Sequence, residues 1–235
     1  IEGKALSGVA SVQFNPPTIE AAIAPATSAS GSHLDLLIYC PSDVSSGTAE
    51  LTLTHPTGKS NSATLHIDPL QQETEASLAD QGQRLMQLPV NLWGRITESG
   101  ETDTFSFDAQ SGQGLVFDVA ANRLGSKANV MITLARADGV PLASSQQFGK
   151  SIDPLLHYVF EENGRYQISV EEQFLKASAD HFYRISIGAF PYVTDLLPRF
   201  GNRNQTLPIE LIGYNLGDRN RVEVATGDQD KQEIS

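Results

Sequence analysis

Five histidines and a single cysteine are the residues best suited to nucleophilic or metal chemistry in this chain, and their spacing supports neither. His33, His55, His66, His157 and His181 include no pair at the one-turn separation that a helical zinc site uses. Cys40 on its own makes no internal disulfide and no cysteine-built zinc or iron–sulfur site. No Gly-x-Ser-x-Gly elbow marks a serine nucleophile, and Gly31-Ser32-His33 only leads into a strand. Two acidic pairs, Glu161 with Glu162 and Glu171 with Glu172, have the residue types of a general acid and base. Neighbours on a strand point to opposite faces, so neither pair converges on one bond, and both read as solvated strand ends. Glu101 and Asp103 read as a solvated turn with one acid capping it, and Asp228 and Asp230 lack the spacing of a calcium loop. The expectation is therefore no catalytic residue, no cofactor and no metal.

Binding leaves a different trace. Glycan recognition uses an exposed aromatic face backed by amides or charged groups. Phe148 stands in the polar loop 144–150, where no core requires it, and with Gln146, Gln147 and Lys150 it forms the expected contact site. Phe190 and Tyr192 bracket Pro191 and read as a packed joint, while Trp93 reads as a core or lid residue.

Composition narrows the partners. The 235 residues carry 28 acids against 16 bases, a formal charge of -12, which repels phosphate backbones and anionic lipid alike. Neither nucleic-acid binding nor membrane insertion is expected, since no apolar run approaches the length of a membrane-spanning helix. Both ends of the chain, from Ile1 and beyond Ala225, read as cuts in something longer.

The elements that would position any site follow period two. Apolar residues alternate through 34–38, 50–54 and 64–67, with a hairpin signal at 57–61. Cys40 continues the stripe of Leu36 and Ile38 and is expected to face a core. Residues 69–87 are rich in Gln, Glu, Ala and Asp and read as a surface linker with one helical turn near 76–80. Strand-like runs return at 93–96, 104–108, 115–119, 130–134, 156–160, 166–170 and 182–187, separated by Ser-Gly, Asp-Gly and Asn-Gly turns. Seven short strands without a long amphipathic helix predict a β-sandwich or jelly roll. Phe105 with Phe107, Tyr166 with Ile168 and Val170, and Tyr183 with Ile185 and Ile187 are its predicted core.

The order of small motifs across the second part resembles the bacterial pre-peptidase C-terminal (PPC) domain. The matching pieces are Gly94, then Gly100, Glu101, Asp103 and Phe105, then Gly112-Gln113 and Leu124-Gly125-Ser126. They continue through Asp138-Gly139 to Leu142-Ala143, Asp153 with Leu155 and Leu156, Gly164 with Tyr166, and Tyr183-Arg184-Ile185. The first part, with Gly3, Lys4, Gly8, Phe14, Gly47, Gly58 and Ser60-Asn61, is similar to an immunoglobulin-like IPT/TIG domain. Such pairs resemble parts of large secreted proteins of the planctomycete type. A run from Ile209 through Gly217 resembles the opening of a further immunoglobulin-like domain. The resemblance implies a non-catalytic appendage that binds polysaccharide or fibrous protein, or presents a neighbouring catalytic domain. Many PPC domains carry acids suited to calcium after the Leu-Gly-Ser and Leu-Ala motifs. Here those positions hold Ala128-Asn129-Val130 and Ser145-Gln146-Gln147, so the resemblance does not bring calcium to them.

The sequence thus predicts an all-β chain, an immunoglobulin-like sandwich followed by a PPC-like jelly-roll β-sandwich. The expected divisions are 1–68, a linker 69–87, the sandwich 88–190, and a joint with opening strands of another domain over 191–235. The expected role is that of an accessory segment of a larger periplasmic, cell-surface or extracellular protein. Its partners would be other domains of the same parent chain and polysaccharide or extracellular protein. A spacer with no ligand of its own is the alternative.

Overall fold

Alternation in the sequence becomes alternation of burial. Along Thr102–Ala109, Asp103, Phe105, Phe107 and Ala109 are buried and the residues between them are not, as a pleated strand with one face on a core requires. A computed structural model of the chain describes residues 1, 3–24, 31–80, 85–218 and 220–227; Asp228 and Asp230 lie outside them. The chain divides into two units, Ile1–Pro69 and Leu70–Ser235.

In the first unit, β1 (Ser11–Asn15), β4 (Gly47–His55), β5 (Gly58–Lys59) and β6 (Ala63–Ile67) form one sheet around β4. The ribbon of β2 (Glu20–Ile23) and β3 (Leu36–Tyr39) forms a second. Phe14, Ile19, Leu34, Ala49, Leu51 and Leu53 are among the buried residues between them. Cys40 corrects the sequence expectation, because it is exposed. Strand β3 stops at Tyr39 and its Ile38 is already 44% exposed, so the stripe has left the core before it reaches the thiol.

The second unit holds a sandwich. Its five-stranded sheet has the order β13-β10-β15-β8-β7, where β7 is Gln71–Thr74, β8 Val90–Arg95, β10 Gly114–Ala120, β13 Leu155–Val159 and β15 Phe182–Gly188. The facing four-stranded sheet has the order β12-β11-β14-β9, with β9 at Thr102–Ala109, β11 Val130–Arg136, β12 Pro141–Ser145 and β14 Gly164–Glu172. Both sheets contribute to one apolar core, which includes Leu92, Phe105, Phe107, Phe117, Ile132, Ile168, Tyr183 and Ile185. A further sheet follows, built of β16 (Tyr192–Leu197), β17 (Thr206–Tyr214) and β18 (Arg221–Ala225).

The described part of the segment read as a surface linker is built into the sandwich. Strand β7 runs parallel to β8, with Gln71 opposite Val90 and Thr74 opposite Trp93. Helix α1 (Glu75–Asp80) follows. Thr74 and Ser77 cap its start reciprocally, each backbone N–H donating to the other's hydroxyl at 3.0 Å. Leu78 and Met86 are both buried in the core, and the Met86 N–H donates to the Ser106 carbonyl. Backbone pairing of β7 and two buried apolar residues tie the described part of a polar stretch to the sandwich.

Candidate functional site

The end of the sandwich that carries the loop after β14 has the most distinctive surface. Alternation along β14 puts Tyr166, Ile168, Val170 and Glu172 on the core face, so a carboxylate terminates a buried stripe. Glu172 is thus no solvated strand end. Burial works against its charge, but its carboxylate accepts N–H bonds from Lys176 at 2.7 Å, Asn129 at 3.3 Å and Phe174 at 2.8 Å. These hold its pKa below the ordinary carboxylate value. The loop is wound round this anion tightly enough to set Leu175 at a φ of 57°, a region a side chain enters only under constraint. Phe174 and Leu175 are thereby displayed outward, 62% and 63% exposed, with the Lys176 ammonium 5.7 Å from the Phe174 ring centre.

A groove adjoins this tip. The Ser99 hydroxyl donates to the Leu175 carbonyl at 2.7 Å, tying the loop to the turn at 97–101. Beyond the turn lies a cavity of about 710 Å³ with Trp93 and Phe182 in its walls and Thr74, Glu75, Arg95 and Glu101 around it. Trp93, expected in the core or as a lid, is instead half-buried on the outer face of β8. Its indole N–H donates to the Gln72 side chain at 2.8 Å, and the Arg184 guanidinium lies 5.9 Å from its ring centre. Gly94 is required beneath the groove, since a Cβ there would lie 2.2 Å from the Tyr183 ring.

Three carboxylates meet at the groove's inner side. Glu75, Glu101 and Asp103 each bring an oxygen within 4.8 Å of the others, a donor set of the type hard divalent cations prefer. Glu101 caps the turn as the sequence suggested, accepting from the N–H groups of Thr97 and Glu98. Asp103 differs from its reading as part of a solvated turn: it is 2% exposed and accepts the Tyr183 hydroxyl at 2.7 Å. Burial, and then the negative charge of Asp103, Glu75 and Glu101, pushes the Tyr183 pKa well above the ordinary tyrosine value.

The contact residues predicted from sequence lie beside this region. Phe148 is half-buried in a tight turn whose N–H and C=O groups pair reciprocally with those of Ser151. Gln146, Gln147 and Lys150 are exposed. The Gln173 side chain donates to the Gln146 carbonyl at 3.3 Å and to that of Val130 at 3.2 Å, which joins the two loops. Sequence reading missed Phe174 and Leu175; the available signal was an apolar pair in a polar stretch immediately after a strand.

Hydroxyl–imidazole contacts among the described residues are local. Ser178 meets His181 Nδ1 at 2.7 Å and Thr57 meets His55 Nδ1 at 2.6 Å. His181 Nε2 is buried with no hydrogen-bond partner, so no carboxylate orients that ring as an acyl-transfer triad demands. Glu161 and Glu162 are exposed, and Glu162 pairs with Arg136 at 3.2 Å. No clear catalytic cluster is present among the described residues, and none of their helices is long and apolar enough to cross a membrane.

No protein-family model matches the chain, and no curated protein matches it. Among solved structures it is similar to the pre-peptidase C-terminal domain of a collagenase from Bacillus anthracis, at 15% identity and a TM-score of 0.34, over 52% of this chain and 99% of that one. A Clostridium perfringens structure, described as CBM51-2 in complex with GlcNAc and INT domains from ZmpB, is similar at 12% identity and a TM-score of 0.30, over 61% and 38%. A mixed-linkage glucan utilization protein of Bacteroides ovatus, SGBP-B in complex with a mixed-linkage heptasaccharide, is similar at 12% identity and a TM-score of 0.27, over 79% and 47%. At these overlaps the likenesses assign neither a fold nor a function to the chain.

Proposed function

We propose that the chain is a non-catalytic accessory segment of a larger secreted protein, which binds a polysaccharide or extracellular protein surface through the loop-bearing end of its sandwich. Such binding would target or anchor a neighbouring domain of the same parent chain. The observation that carries this reading is the display of Phe174 and Leu175. Two large apolar side chains stand in water on a loop that a buried carboxylate holds in one shape. Burying them against a partner removes apolar surface from water without the cost of ordering the loop. The Trp93–Phe182 groove and the exposed Gln146, Gln147 and Lys150 beside Phe148 would extend the same surface.

A binding screen of the folded chain against insoluble polysaccharides and fibrous proteins, with calcium and with chelator, tests the reading. The expected result is a retained partner whose affinity drops about tenfold in Phe174→Ala, with smaller losses in Phe148→Ala. Loss of binding in chelator would show that the interaction needs a divalent cation. No retention by well-folded protein in either condition would sink the binding reading and leave the spacer. The spacer has its own support in the way the last sheet is held.

A further inference from the structure

Part of the outer face of the five-stranded sheet is not solvated. Leu115, Phe117 and Val119 point into the sandwich core, so alternation sends Val116, Asp118 and Ala120 outward. By the same alternation Asn91 and Ser186 point outward. Yet Val116, Ala120 and Asn91 are 0% exposed, and Ser186 is 6% exposed.

Residues C-terminal to the sandwich make contacts on that face. The Tyr214 ring stacks on His157 at 4.4 Å and 9°. The Asn215 amide donates to the carbonyls of Gly114 and Phe190, both at 3.2 Å. The Tyr192 hydroxyl donates to Asp118 at 3.2 Å, and Arg123 donates to the same carboxylate. A glycine makes the approach possible. A Cβ on Gly114 would lie 2.7 Å from Asn215 Oδ1. Backbone this close to a packed partner is fitted to it, in contrast to the polar, glycine- and serine-rich linkers that let domains turn freely.

We infer that the outer face of this sheet is an intramolecular docking surface for the β16–β18 sheet, and that the two move as one rigid body. Gly114 lies at the end of the sheet remote from Phe182 and Arg95, so the Asn215 contact leaves the Phe174 end of the sandwich uncovered. The module C-terminal to the sandwich therefore holds the candidate binding end in a fixed direction. This inference stands whether or not that end binds anything.

Backbone ¹⁵N relaxation of the whole chain tests it. Amides of β16 and β17 are expected to share one rotational correlation time with amides of β9 and β14. In Gly114→Val the correlation time of the β16–β18 amides should fall by about half or their shifts should become those of unfolded chain, while the sandwich keeps its dispersed spectrum. Tyr214→Ala, outside the sandwich, should act in the same direction and remains informative if Gly114→Val fails to fold. Independent tumbling of the last sheet in the unmodified chain would overturn the inference. So would a single correlation time that survives in both variants.

Discussion

The Tyr183 hydroxyl donates to the Asp103 carboxylate at 2.7 Å in the buried interior, and the bond links β15 of one sheet to β9 of the other. An anion in that position is tolerable only with a donor aimed at it. Tyr183→Phe removes the donor and keeps the ring, and it should cost about 1–3 kcal/mol in chemical denaturation at neutral pH. The phenol's raised pKa adds a second signature. Its contribution is complete below the ordinary tyrosine value and is lost as pH climbs toward the folded one. Denaturation midpoints of the unmodified chain should fall above about pH 10, and more shallowly in Tyr183→Phe.

Glu172 has the opposite sign. Its pKa is lowered in the folded chain, so its contribution is present above the ordinary carboxylate value and disappears as pH falls through the folded one. Glu172→Gln should lose about 1–3 kcal/mol at pH 7 and show a flatter decline toward about pH 3. Denaturant midpoints at the two pH values decide this, and an unchanged acid slope would contradict the part assigned to the three N–H bonds.

Gly94→Ala places a methyl group 2.2 Å from the Tyr183 ring. The ring is fully buried and bonded at its far end, so it has little freedom to retreat. A loss of about 2–3 kcal/mol is expected, read as a lower melting temperature with the spectrum of a β protein retained.

Leu78→Ala measures whether the polar stretch before the sandwich belongs to it. Deleting most of a buried side chain from the shared core should cost about 2–4 kcal/mol. Gln87→Ala, at an exposed position in the same stretch, should stay within about 0.5 kcal/mol. Equal, negligible effects would return the segment to the status of a linker.

What was legible in the sequence was whatever repeats with the pleat. Phe105 with Phe107, and Tyr183 with Ile185 and Ile187, lie on core faces as alternation predicted. What was hidden depends on where a stripe meets its surroundings. Cys40 continues an apolar alternation past the last paired residue, so the pattern persists where the sheet does not. Glu172 continues a core stripe with a charged residue, which looks like a solvated terminus until the loop folds its N–H groups onto it. Strand β7 is made of Gln, Gln, Glu and Thr and has no apolar alternation, because an edge strand can be held by its backbone alone. At the site, the polar loop round Phe148 was legible as composition. The outward aim of Phe174 and the inward aim of Asp103 follow only from the assembled sheets.

The register of β7, β8 and β15 also decides how the sandwich answers a pull. Gln71 lies opposite Val90, and Val90 lies opposite Ile187. The strand by which the chain comes in and the strand by which it goes out therefore meet the same end of β8. Tension between the flanking segments would peel β7 and β15 away from β8 one ladder bond at a time, instead of loading all of those bonds in shear. Mechanically the sandwich is a pendant hung from one end, and under load its flanking strands would open at the docked end while the far end, with Phe174, stays out of the line of force.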